Sequence, residues 1–164
     1  MSESKVAIVT GAGSGVGQAA ALALLAAALW WGSLTAVGAW VVPLLFAHLP
    51  TAAQAGQMAA RLFAAQTWVA MACGLVVLMA LRPREASSLP ASVQRTFAWV
   101  AAGMLLALLL EFAVAPRIVA RQDLRLWHSV GSALYALQWL AAGATLWRLA
   151  TPPARPGLSP GDPS

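Results

Sequence analysis

The chain has 164 residues, of which 60% are hydrophobic and only 9% are charged, and its mean hydropathy is +0.74. A soluble domain carries about 25% charged residues, so the composition argues against that class and favours a membrane protein. The formal charge of +5 comes almost entirely from Arg residues that flank apolar runs. This placement indicates helix anchoring rather than nucleic-acid binding.

A glycine-rich segment lies near the start of the chain. Residues 10–17 read TGAGSGVG and follow a short apolar run, residues 5–9. Glycines in such a loop let the backbone approach a pyrophosphate, and a helix N-terminus that follows favours the anion. The segment resembles the opening of short-chain dehydrogenases, with Gly11, Gly15 and Gly17 at the fingerprint positions.

The other features of that dehydrogenase family are missing. An acidic residue is expected about 20 residues after the loop to hold the ribose, yet Trp30 to Val42 carries no charge. The Tyr-xxx-Lys pair cannot be placed, because the only tyrosine, Tyr135, is followed four residues later by Trp139. We therefore predict that residues 1–18 form an irregular or disordered leader that binds no nicotinamide cofactor.

Four apolar runs follow the leader, and each holds the roughly 20 residues that a helix needs to cross a bilayer. The predicted spans are residues 19–46, 62–81, 97–115 and 126–147. A soluble bundle would need a polar face on every helix, and the run Val100 to Leu110 has none. The sequence therefore predicts an all-α fold, an antiparallel four-helix bundle integral to the membrane over residues 19–150.

Local signals modify these spans. Pro43 is predicted to kink or end the first one, because proline lacks the amide that completes a helical ladder. Residues 51–60 are uncharged and Ala-rich, which predicts a short helix leading into the second span. Residues 151–164 contain five Pro and no apolar cluster, which predicts a disordered tail.

The basic residues predict the topology. With four spans, the termini and the middle loop share one side, which has six Lys and Arg residues against four on the other. The positive-inside rule therefore places both termini in the cytoplasm of a bacterium, with the protein in its cytoplasmic membrane. The predicted partner is the lipid bilayer, a homo-oligomer stays open, and neither a nucleic acid nor a cofactor is expected.

Polar residues inside apolar helices are candidates for function because their insertion is costly. Antiparallel threading brings five of them close to the non-cytoplasmic interface: His48, Arg61, Gln66, Glu111 and His128. On the third helix the spacing of Gly103, Ala107 and Glu111 predicts that Glu111 faces the bundle interior. On the fourth, a predicted contact stripe has Gln138 at its margin and consists of His128, Ser132, Tyr135, Trp139 and Ala142.

Three interpretations of these polar residues are open. The first is interhelical hydrogen bonding, with Glu111 paired to Arg61, Arg117 or His128. The second is a metal or haem site that uses His48 and His128, although two histidines without a further ligand pattern are a weak signal. The third is a proton or solute path through Glu111. No catalytic residue is predicted, and the chain is not expected to be an enzyme.

Four motifs carry a second resemblance, which covers residues 22–150. They are Trp31-Gly32-Ser33-Leu34, Pro43-Leu44-Leu45-Phe46, Ala55-Gly56 with Arg61-Leu62-Phe63, and His128 with Leu134-Tyr135-Ala136-Leu137-Gln138. With these motifs the chain resembles a bacterial four-span membrane family, domain of unknown function 4149, which is similar to the eukaryotic transmembrane protein 205 family. The resemblance implies an integral membrane protein without an assigned reaction. A more distant likeness to copper-resistance-type membrane proteins points toward metal handling.

Overall fold

The computed structural model describes residues 15–82 and 90–151, and nearly all of these lie in four long helices. The predicted tail after residue 151 lies outside the described residues. So do Gly11 and most of the predicted leader, whereas Gly15 and Gly17 belong to the first turn of the first helix. Helix therefore begins at Gly15, four residues inside the segment predicted as an irregular or disordered leader.

The first helix, α1, changes register near its end. It runs through three consecutive segments: the α-helix Gly15–Thr35, the π-helix Ala36–Val41 and the α-helix Val42–His48. Pro43 does not end the helix. In an α register the Pro43 nitrogen would have to donate to the Ala39 carbonyl, which proline cannot do. In the π register a donor reaches back five residues, as the Val42 N–H does to the Val37 carbonyl, and the helix continues past the proline.

The second helix, α2, is one continuous element, Ala52–Leu81. The Thr51 side-chain oxygen accepts a hydrogen bond of 3.2 Å from the backbone nitrogen of Gln54, which satisfies one of the free donors at the helix start. The segment predicted as a short leading helix and the predicted second span are therefore parts of the same helix.

The third helix, α3, repeats the register change of α1. Its segments are Ala91–Leu109, the π-helix Leu110–Val114 and Ala115–Val119. The Ala115 N–H donates to the Leu110 carbonyl five residues earlier, and Pro116 follows at once. In both helices the proline is therefore the second residue after a π segment. The π segment lets the helix continue although proline has no backbone N–H to donate.

The fourth helix, α4, is Leu124–Ala150. Its first turn is capped by Asp123, whose carboxylate accepts a hydrogen bond of 3.3 Å from the Leu126 backbone nitrogen. Asp123 has a φ of 29°, an unusual backbone conformation for a residue with a side chain. This tight connection brings α4 back along α3.

The four helices pack side by side, with α1 and α3 each in contact with both α2 and α4. Gly103 of α3 lies against Trp30 of α1 and Ala141 of α4, and Gly131 of α4 lies against Val114 of α3. Small side chains at such positions let helices approach closely, as in membrane bundles. The buried residues are dominated by alanine, with Trp30, Leu34, Val77 and Val100 as the largest apolar side chains that are fully buried.

Three of the described helical stretches are long and apolar enough to cross a membrane: Gly17–His48, Ala52–Leu81 and Ala91–Val119. At 27 residues α4 has the length to do the same. It falls short in apolar character because polar residues recur along it, among them His128, Gln138 and Thr145. Within the described residues the fold is all-α, and three of the four helices are apolar enough to cross a membrane.

Candidate functional site

The two histidines considered as metal ligands are exposed and lie on different helices. The His48 Nδ1 is 3.1 Å from the Leu44 carbonyl, and the His128 Nδ1 is 2.8 Å from the Leu124 carbonyl. Each imidazole therefore bonds to its own helix. Within residues 15–82 and 90–151, no group of three or more His, Cys, Asp or Glu side chains is arranged to hold a metal ion.

Glu111 is half-buried and lies in the π segment of α3. The predicted ion pair to Arg61, Arg117 or His128 is not formed. Arg61 is exposed. The Arg117 guanidinium donates to the Ala113 carbonyl of its own helix and lies 4.6 Å from the centroid of the Trp127 ring.

The buried face of α3 does not include Glu111. Gly103 and Ala107 are buried, as their spacing predicts. The next buried residue is Val114, with 3% of its surface exposed. Val100, Ala107 and Val114 recur every seven residues, about two helical turns, so the buried face follows this line and leaves Glu111 at its side.

Polar side chains do meet between α1 and its two neighbours. Gln66 of α2 is 5% exposed, and its Nε2 donates a hydrogen bond of 2.9 Å to the Ser33 Oγ of α1. The Ser33 hydroxyl donates in turn to the Trp30 carbonyl at 2.9 Å. The Gln66 side chain is therefore held at a fixed point on α1.

Tyr135 of α4 binds α1 at the start of its π segment. Its hydroxyl donates a hydrogen bond of 2.7 Å to the Leu34 carbonyl. The ring also makes an edge contact with Phe63 of α2, with centroids 5.3 Å apart. Tyr135 thus joins three helices.

One turn further along α4, Trp139 makes the next bond to α1. Its Nε1 donates to the Thr35 Oγ1 at 2.8 Å, and the Thr35 hydroxyl donates to the Trp31 carbonyl at 2.8 Å. The Trp31 and Trp139 rings are tilted by 38°, with centroids 5.4 Å apart. We call this cluster the polar junction, and its side chains are Ser33, Thr35, Gln66, Tyr135 and Trp139.

Gln138 is more central than the sequence predicts. It is 2% exposed, whereas His128 and Ser132 of the predicted stripe are exposed or partly exposed. The buried face of α4 consists of Gln138, Ala141, Ala142 and Thr145. The Nε2 of Gln138 and the Nε1 of the fully buried Trp30 have no hydrogen-bond partner among the described residues.

Sequence reasoning misses the α1 side of the polar junction. Ser33 and Thr35 lie inside a long apolar run, where a hydroxyl can bond to its own helix and needs no other partner. The role of Gly38 depends on a tyrosine about 100 residues away. The available signal is the run Trp30 to Thr35, in which a pair of indoles is followed by two hydroxyls that lie two residues apart.

Comparison with known proteins gives one match. The family model "Domain of unknown function (DUF4149)" matches residues 25–126, more than half of the chain. The matched range includes Ser33, Thr35 and Gln66 but ends before Tyr135. No curated protein and no solved structure matches the chain.

Proposed function

The chain belongs to the DUF4149 family, and from that premise we propose that it is a multi-pass integral membrane protein whose four helices cross a bacterial cytoplasmic membrane in antiparallel order. The observation that carries the proposal is the distribution of side chains. Large apolar residues point outward, with Leu25, Trp68, Met79 and Phe112 each more than 60% exposed. Continuous apolar surface of this kind is unfavourable in water and favourable in lipid.

The interior supports the same proposal. The buried polar residues are neutral: Gln66, Thr67, Thr96, Gln138 and Thr145. Apolar burial supplies no driving force between helices in lipid, so small residues and interhelical hydrogen bonds hold them together. This accounts for α4 as the fourth span, because Tyr135 and Trp139 bond to α1 and the polar residues Gln138 and Thr145 are buried between the helices.

Two experiments test the proposal. After cell lysis the full chain should sediment with membranes, resist extraction at alkaline pH and dissolve only in detergent. Reporter fusions should then place both termini in the cytoplasm, as four spans and the charge bias require. A soluble chain would end the proposal, and termini on opposite sides would exclude α4 as a span.

A second candidate function is a proton or small-solute path, and one observation favours it. Glu111 is half-buried in a π segment, and no ion pair joins it to another described residue. An ionisable group inside a span is costly to insert, and such groups commonly mark an ion or solute path. In vesicles with an internal pH dye, Glu111→Gln should lower proton or solute flux, with Glu85→Gln as the matched control in the predicted cytoplasmic loop.

A further inference from the structure

A side chain of α4 bonds to the backbone of α1 just before its π segment. In a regular helix the Gly38 N–H donates to the Leu34 carbonyl, four residues earlier. The Tyr135 hydroxyl donates to that same carbonyl at 2.7 Å, so α4 shares an acceptor of the α1 backbone. A side chain inserted beside the helical hydrogen bonds is a known cause of helix bending.

Glycine is required at position 38 to let the ring approach. A Cβ there would lie 2.7 Å from the Tyr135 Cε1 and 3.3 Å from its hydroxyl oxygen, which is closer than such atoms pack. Gly38 is therefore present for access and not for an unusual backbone conformation. The close approach is a specific feature of these two residues.

The part of α1 beyond the π segment makes few contacts with the rest of the bundle. The segment Val42–His48 packs mainly against α2 and against the π segment before it, and none of its seven residues is buried. Pro43 also removes the donor that would stiffen an α register at this point. The part before the π segment is fixed, because Trp30 and Leu34 are both fully buried.

We propose that residues 36–41 form a hinge in α1 and that the Tyr135 hydroxyl is its latch. With the hydroxyl seated, the outer segment Val42–His48 is held in one direction against α2. When the hydroxyl withdraws, the Leu34 carbonyl loses its bond to α4, and the outer segment takes a second direction. The proposal depends on the contacts of α1 and holds whether or not the protein conducts protons or solutes.

The latch can be removed with a one-atom change. Tyr135→Phe deletes the hydroxyl and keeps the ring against Phe63 and Gly38. Spin labels on Ala47 and Ser132, both exposed, report the direction of the outer segment relative to α4. Labels on Ala28 and Leu140, also exposed, report the inner part of the same helix pair.

The experiment measures label distances by pulsed electron paramagnetic resonance on the full chain in detergent, in a Cys73→Ala background. The parent protein should give one narrow distance for each pair. Tyr135→Phe should add a second distance for the outer pair and leave the inner pair unchanged. Gly38→Ala, which forces the ring away, should give the same second distance.

Trp139→Phe is the matched control. It removes the hydrogen bond to Thr35 one turn away, on the same two helices, but that bond takes no part in the α1 ladder. It should leave both pairs narrow. An unchanged outer pair in Tyr135→Phe would overturn the hinge. Equal broadening of both pairs would also overturn it, since that result describes a loosened bundle and not a local latch.

Discussion

Gly103 is a tight point at which α1, α3 and α4 meet, and its replacement by alanine gives a quantitative test of the packing. The new Cβ would lie 2.6 Å from the Trp30 Cη2, 2.8 Å from its Cζ2 and 3.4 Å from the Ala141 Cβ. The first two distances are too short for any side chain to keep. Trp30 is 0% exposed, so its ring has no open space into which it can move.

The magnitude follows from two opposing effects. Overpacking a filled core costs about 1 to 3 kcal/mol, whereas alanine is better than glycine in a helix by about 1 kcal/mol. Gly32→Ala is the matched control, because a Cβ added to that helical glycine would meet no atom within 4 Å and would show only the second effect. The two substitutions should therefore differ in the free energy of unfolding by about 1 to 3 kcal/mol.

The assay is the unfolding midpoint of the detergent-purified chain, followed by the monomer fraction left after heating. Gly32→Ala should melt at or above the parent protein, and Gly103→Ala should melt at or below the parent and clearly below Gly32→Ala. Trp30→Phe removes both clashing ring atoms, so the double substitution should be more stable than the two single effects predict. If Gly103→Ala and Gly32→Ala have the same unfolding midpoint, the close contact between Gly103 and Trp30 does not exist.

Three further predictions concern the polar groups and the leader. Gln66→Met should destabilise the chain by about 1 kcal/mol because it breaks the hydrogen bond to Ser33. Gln138→Met should be neutral or stabilising because it removes a buried amide nitrogen that has no partner among the described residues. Both effects are measured as shifts of the unfolding midpoint, and equal losses of stability in the two variants would contradict the prediction. Thr51→Ala should cost about 1 kcal/mol through loss of the cap on Gln54, with Thr51→Ser as the control that retains it. Calorimetric titration with NAD or NADP should show no binding, and a micromolar affinity would establish a function for the TGAGSGVG segment.

The helices can be predicted from the sequence, because the length and hydropathy of an apolar run are local properties. The second apolar run shows this, since residues 62–81 fall inside the single helix Ala52–Leu81. The changes from α to π register in α1 and α3 cannot be predicted in this way. Pro43 shows that one backbone N–H donor is missing from the helix. Whether the helix ends, bends or widens there depends on neighbours such as Tyr135, which lies on another helix.

The pairing of side chains between helices is harder to predict than the helices, because it depends on the rotation of each helix about its axis. The stripe predicted for α4 is rotated by part of a turn from the observed buried face, so that Gln138 falls at its margin although this residue is almost fully buried. The predicted pairing of Glu111 rests on its level in the membrane alone, whereas the buried face of α3 runs through Val100, Ala107 and Val114 and leaves Glu111 half-buried at its side. The spacing of residues along a helix therefore does not by itself fix which residue of a neighbouring helix each one meets.

The relative strength of packing and hydrogen bonding in this bundle can be ranked from the same contacts. Within the described part of the chain, three hydrogen bonds join side chains of α2 and α4 to α1, from Gln66, Tyr135 and Trp139. Interhelical hydrogen bonds inside membranes average about 0.6 kcal/mol, so the three together contribute only about 2 kcal/mol. The polar junction is therefore too weak to hold the bundle by itself.

Close packing must supply the larger part, and the contacts at Gly103 are its clearest instance. Conservative loss of one hydrogen bond, as in Trp139→Phe, should consequently cost less than the clash introduced by Gly103→Ala. Because the polar bonds are weak, they can also break and re-form without unfolding the chain. A strong core beside weak, directional bonds is the combination that a latch such as Tyr135 requires. If Trp139→Phe lowers the unfolding midpoint as much as Gly103→Ala does, this ranking is wrong and the hydrogen bonds are structural.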